Sequence, residues 1–231
     1  MLGVLLAAAV AAPCATPPSL LTQTRAVGQA LVGDVDADGR PDRVSLRIAP
    51  RATVACGVFV VVRTGAGTSV ARVRYSPKDP GTAGDLVRID HVPFLNGLYR
   101  LDGRRGLEVV VTAEKGASNS FLQFFGWRSG QLLRLAIPRS AGLGEISWGG
   151  FASAHSGIDC DRGLVRVSGA WLYKGRWNVE RDFYRVEQAA FRRVRTQRIR
   201  GSLRKISKWD RETNQSQPLP SCRGVRARRQ S

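Results

Sequence analysis

Histidine is nearly missing from this chain, which has only His91 and His155 and a single methionine in 231 residues. No Gly-x-Ser-x-Gly elbow and no His-Glu-x-x-His pair occurs, so the common serine-hydrolase and zinc-hydrolase sites have no residues to be built from. His155, near Ser153, Ser156 and Asp159, is the one histidine with triad-type neighbours, but all four share one stretch of small residues that reads as a surface loop. Carboxylates are scarce, 18 against 36 Lys and Arg, a formal net charge of +18. Glu108 with Glu114, or Asp159 with Asp161, are pairs that glycosidase chemistry could use, though any two carboxylates would qualify. After the first dozen residues no apolar run approaches the roughly 20 residues of a membrane-spanning helix. Cysteine is limited to Cys14, Cys56, Cys160 and Cys222, standing singly, without the Cys-x-x-Cys spacing of zinc or redox sites.

What is present begins with residues 1–12, an apolar core with a small-residue exit, which reads as a secretory signal peptide lacking the usual basic start. Cleavage is expected near Ala11 or Ala12, and residues 13–28, with Pro13, Pro17 and Pro18, read as a linker. A secreted or cell-surface location follows, and there cysteines pair. The pairing expected is Cys160 with Cys222, leaving Cys56 either buried or joined to Cys14. Cys14 has a rival reading as a lipidated residue, although Ala11 and Pro13 make a poor lipoprotein box. Residues 192–231 carry 13 Lys and Arg against Asp210 and Glu212, a net of +11. A basic tail over 196–231 is expected to meet an extracellular polyanion or glycan, such as lipid headgroups, wall polymers or nucleic acid, or else to be simply solvated.

Between signal and tail the pattern is β. Val44, Leu46 and Ile48 alternate with Ser45 and Arg47, the period of a half-buried strand. Residues 54–62 suit a central strand, Gly65-Ala66-Gly67 a turn, residues 68–75 a third strand, and Val87, Ile89 and Val92 a short edge strand. A second module runs from the turn at Asp102-Gly103 through apolar strands at 109–112, 121–127 and 132–137. A third, fainter one starts at Asp159-Cys160-Asp161 and continues through 164–173 and 177–186. Helix signals are few: residues 186–194 could make two turns or a strand pair. Asp38, Asp102 and Asp161 mark spacings of 64 and 59 residues, a period of about sixty, in the upper range for propeller blades. The expected fold is all-β over 29–195, with about three blade-like antiparallel modules, near 29–97, 98–145 and 146–195. Three are too few for a closed propeller, so the expectation is a partial β-propeller-like stack. Aromatics crowd the second and third modules. Most should be core, and a few exposed beside Arg could bind sugars or stack on bases.

The densest chemistry lies in Asp34-Val35-Asp36-Ala37-Asp38-Gly39-Arg40-Pro41-Asp42. Alternating aspartates, a glycine that can take positive φ and a further aspartate form a set of hard oxygen ligands suited to Ca²⁺. An EF-hand would need Glu at the twelfth position and a helix after it; Ser45 and the strand pattern supply neither. Asp-x-Asp-x-Asp-Gly-x-x-Asp followed by a strand resembles the calcium loops of FG-GAP or VCBS repeats, the integrin-α type. The resemblance implies Ca²⁺ held by Asp34, Asp36, Asp38, Asp42 and the backbone carbonyl of Arg40. With Asp102-Gly103 aligned on Asp38-Gly39, Leu98 and Arg100 replace two ligands, so the second module should not bind the ion. The third, retaining only Asp159 and Asp161, is expected to be a turn. A structural ion and no legible catalytic constellation imply a secreted, calcium-stabilised binding module of unknown ligand and oligomeric state. The alternative is an exported hydrolase acting on a wall polymer or glycan.

Overall fold

A computed structural model describes residue 14 and residues 21–76, 81–90, 92–138, 145–151, 154–201 and 218–226. The expected signal peptide, His91 and Ser153 lie outside the described residues. The fold is all-β, as expected, and antiparallel. β1 (Arg25–Gly33), β2 (Asp42–Ile48), β3 (Val58–Thr64) and β4 (Gly67–Arg72) form a four-stranded sheet in chain order. β5 (Phe94–Tyr99), β6 (Glu108–Lys115), β7 (Asn119–Arg128) and β8 (Gln131–Arg134) repeat that meander, with a loop of similar length between the first two strands.

The second meander belongs to a ten-stranded sheet. β9 (Ile146–Phe151) pairs with the first half of β7 and hands over to a third meander: β10 (Ala154–Asp161), β11 (Leu164–Tyr173), β12 (Arg176–Glu187) and β13 (Ala190–Gly201). β14 (Gly224–Arg226) adds to β5 at the other edge. The sheet bends until the turn between β12 and β13 meets the chain beyond β8, where Ala136 bonds to Ala189 and Phe191 at 2.7 and 2.8 Å. It does not close into a barrel.

Alternation along the strands explains the layering. In β2, Asp42, Val44, Leu46 and Ile48 point inward, and Val44, Leu46 and Ile48 lie opposite Val62, Val60 and Val58 of β3. They share one core with Leu95, Leu98, Val109, Val111 and Phe125 of the larger sheet. The intervening residues of the same central strands, Val110, Leu122 and Phe124, face a second core with Ile158, Val165, Tyr184 and Phe191. Buried on both faces, β6 joins the two cores, and each such side chain contributes about 1.5–3 kcal/mol of burial.

Several expectations are corrected. The proposed edge strand around Val87 and Ile89 is instead helix α2 (Ala83–Asp90), after a single helical turn α1 (Val54–Gly57) that shortens the run expected as one strand. Thr82 and Asp85 cap α2 reciprocally: the Thr82 N–H and hydroxyl donate to Asp85 Oδ2, and the Asp85 N–H donates to Thr82 Oγ1. The stretch 186–194 is the β12–β13 hairpin. The basic region starting at 196 opens as part of β13, and 218–226 is fastened to the body. Cys160–Cys222 is a disulfide, as expected, and Cys14 is bonded to Cys56, which removes its thiol from the lipidated reading.

Candidate metal centre

The loop between β1 and β2 folds around Asp42. Its carboxylate, on a residue only 1% exposed, accepts the Val35 N–H (2.7 Å) and the Asp36 N–H (3.1 Å) on Oδ2. Ala37 and Gly39 take φ of 70° and 84°, curling the chain. Further backbone donors are met from within: Asp38 N–H by Asp36 Oδ1, Gly39 N–H by Asp34 Oδ2 and Arg40 N–H by Asp38 Oδ1. All four aspartates thus accept from the loop backbone.

Asp34, Asp36 and Asp42 each bring one carboxylate oxygen within 4.8 Å of the others. Oxygens on one Ca²⁺ at 2.3–2.6 Å lie no more than about 5 Å apart, so the spread fits one ion. Asp34 Oδ1 and Asp42 Oδ1 are buried without a hydrogen-bond partner in the protein. Two ionised carboxylates that far apart repel by about 3 kcal/mol at an effective dielectric near 20. Burial raises the Asp42 pKa, and the negative charges of Asp36 and Asp38 add to the rise against two backbone donors. Asp38 is exposed and lies outside this group of three, its Oδ1 turned to Arg40. The Arg40 N–H is the part of that residue seen bonded in the loop.

The second loop is built on the same frame as the first. Glu108 begins β6 as Asp42 begins β2, and its Oε2 accepts the Leu101 N–H at 2.8 Å; Asp102 Oδ1 accepts the Arg104 N–H at 2.8 Å. The structural register therefore matches Asp102 with Asp36 and Glu108 with Asp42, correcting the alignment on Asp38. Into this loop Arg128 inserts its guanidinium, with Nη2 at 2.9 Å from Asp102 and 3.3 Å from Glu108. The side chain of Arg128 is 15% exposed, and those of Asp102 and Glu108 are 2% and 3%. Two carboxylates share one internal cation. Burial first, and then Asp102, push Glu108 up to about 7 despite the Leu101 N–H and Arg128.

The loops touch. Gly106, at φ 95°, lies so near the first loop that a Cβ there would stand 2.9 Å from the Val35 carbonyl oxygen. The third copy, expected to be a turn, is a hairpin turn just beyond the aspartates: Asp159 and Asp161 lie in β10, and Arg162-Gly163 turn the chain at φ 50° and 79°. Asp159 instead holds the C-terminal segment through the Ser221 N–H (2.7 Å) and Ser221 hydroxyl (2.8 Å), with Arg166 at 3.6 Å.

The other candidates fare differently. Glu108 and Glu114 stand at opposite ends of β6, about 20 Å apart at strand rise, too far to act on one glycosidic bond. His155 packs on Trp177 with ring centroids 5.7 Å apart. The Ser156 hydroxyl donates to the Gly149 carbonyl at 3.1 Å and lies 3.2 Å from Ser147 Oγ. A groove of about 880 Å³ beside the second loop is lined by Asp102, Arg104, Tyr184, Glu187, Phe191 and Arg192, among others. Glu187 there is held by Arg192 at 2.7 Å.

No protein-family model matches the chain, and no curated protein and no solved structure matches it.

Proposed function

We propose that this chain is a secreted or surface-associated binding module whose first β meander is locked by one Ca²⁺. Asp34, Asp36 and Asp42 supply carboxylate oxygens, with Asp38 and the Arg40 carbonyl completing the shell as in the FG-GAP/VCBS repeats that the loop resembles. The observation that carries the reading is the buried, unpartnered Oδ1 of Asp42 within a group of three carboxylates. The ion would supply positive charge; the chain's own part is to hold three carboxylates in register through the backbone donors of residues 35, 36, 38 and 39. The first meander, a separate four-stranded sheet in chain order, is the blade-like unit of this reading, whereas the second and third are joined in one ten-stranded sheet; the two disulfides agree with an oxidising compartment.

A hydrolase would find its nearest carboxylate pair in Asp102 and Glu108 beside the groove. Both Glu108 oxygens are engaged, one by Leu101 and one by Arg128, which favours a structural role for the pair. Calorimetric titration of the mature protein tests the metal reading: one Ca²⁺ site is expected, with Mg²⁺ much weaker because it tolerates less irregular oxygen shells. No heat of binding with Ca²⁺ would count against it.

A further inference from the structure

The β11–β12 hairpin ends in six consecutive exposed residues, Trp171 to Arg176. Trp171, Leu172 and Tyr173 are 44%, 41% and 61% exposed, and together they form the longest run of exposed large hydrophobics among the described residues. Trp171 and Tyr173 emerge from one face, across from Asn178 and Arg176; Leu172 emerges from the other, across from Trp177. Lys174 and Gly175 make the turn at φ 48° and 70°, and Lys174 Nζ sits 5.4 Å from the Tyr173 ring centre.

The charges at this tip are positive. Lys174, Arg176 and Arg200 are exposed there, and the ribbon's carboxylates lie further down and are engaged, Glu180 by Arg198 at 2.7 Å and Asp182 by Arg193 at 3.5 Å. The two rings, Trp171 and Tyr173, share one face as a stacking platform would have them, but Leu172 leaves the opposite face. Here apolar side chains leave both faces of a narrow ribbon, with cations at its end. That shape suits a wedge entering an interface, where Trp and Tyr sit at headgroup depth and Lys and Arg meet anionic lipids.

We infer that the 171–176 hairpin tip docks the protein on an anionic lipid surface, Trp171, Leu172 and Tyr173 entering the interface and Lys174, Arg176 and Arg200 contacting headgroups. The inference rests on the binding-module reading and gives it a partner. The test uses vesicles of phosphatidylcholine with about 30% phosphatidylglycerol at about 0.15 M salt, in Ca²⁺ and in EGTA. Trp171→Ser with Leu172→Ser and Tyr173→Ser keeps every charge, and it should weaken vesicle binding roughly tenfold or more. Brominated lipid should quench the native protein's fluorescence, and Trp171→Phe, a ring-for-ring change at a residue 44% exposed, should remove most of that quenching. Equal vesicle affinity in the triple variant, or quenching unchanged in Trp171→Phe, overturns the inference. So does tip-dependent binding to a single-stranded oligonucleotide or to heparin in place of vesicles. Tip-dependent vesicle binding in EGTA would leave the inference standing even if the metal reading fails; Ca²⁺ uptake without vesicle binding would overturn the inference alone.

Discussion

Asp42 and Glu108 occupy one position in two loops: each opens the second strand of its meander and accepts the N–H of the residue seven places before it, Val35 at 2.7 Å and Leu101 at 2.8 Å. The difference lies in what neutralises them. In the second loop the cation is covalently part of the chain, Arg128; in the first, three carboxylates converge and two of their oxygens have no protein partner. In the proposed reading an external ion in the first loop would be the counterpart of the guanidinium in the second.

Arg128→Met should therefore cost about 3–5 kcal/mol, because it leaves two carboxylates buried with no counter-charge. Chemical denaturation checks this. The loss should be greater near pH 8 than near pH 5.5, since a protonated Glu108 no longer needs the guanidinium.

Glu108 itself makes stability fall with pH. Its folded pKa, about 7, lies above the ordinary 4.5, so between those values the folded chain holds the extra proton. That contribution is complete below pH 4.5 and is lost as pH rises through about 7, an effect on the order of 3 kcal/mol. Glu108→Gln should flatten the decline, measured as unfolding free energy at a series of pH values. A decline of the same size in the variant would place its origin elsewhere.

Gly106→Ala should disturb the first loop from the second. At φ 95° a side chain is strained, and its Cβ would crowd the Val35 carbonyl. A loss of about 1–2 kcal/mol is expected, together with a weaker Ca²⁺ affinity in calorimetry. A variant that loses stability but keeps full affinity would show that the loops are independent.

Cys222→Ser opens a link of 62 residues between β10 and the C-terminal segment, and about 2–5 kcal/mol should go with it. Hydrogen exchange should reveal early release of β14, whose residues 224–226 pair with residues 97–99, ahead of the first meander.

The acidic loop and the β class were legible because both are written in local spacing: aspartates two apart, and apolar residues alternating at period two. The register of the second loop was not. Asp-Gly is a conspicuous pair and invites alignment on Asp38-Gly39, whereas the shared constraint is the carboxylate that opens the next strand, Asp42 or Glu108. Arg128 sits twenty residues from Glu108, with nothing nearby in sequence to mark it. Helix α2 was hidden by Val87 and Ile89 standing two apart with Val92 beyond them, although Thr82 and Asp85 three residues apart are a capping signal that could have revealed it. Asp159 and Asp161 resembled a third loop only because two aspartates flank Cys160; strand pairing of 154–161 with 164–171 leaves room for a two-residue turn.

The central claim is the ion. The direct measurement is the thermal unfolding midpoint of the protein across a Ca²⁺ titration starting in EGTA, beside Asp34→Asn with Asp36→Asn, which keeps an acceptor oxygen for the Gly39 and Asp38 N–H groups. An ion bound only to the folded state raises stability by about 2.7 kcal/mol at one hundred times its dissociation constant, so the native midpoint should climb with Ca²⁺ while that of the double variant stays level. A native midpoint that does not move with Ca²⁺ would contradict the account and leave residues 34–42 an acidic turn.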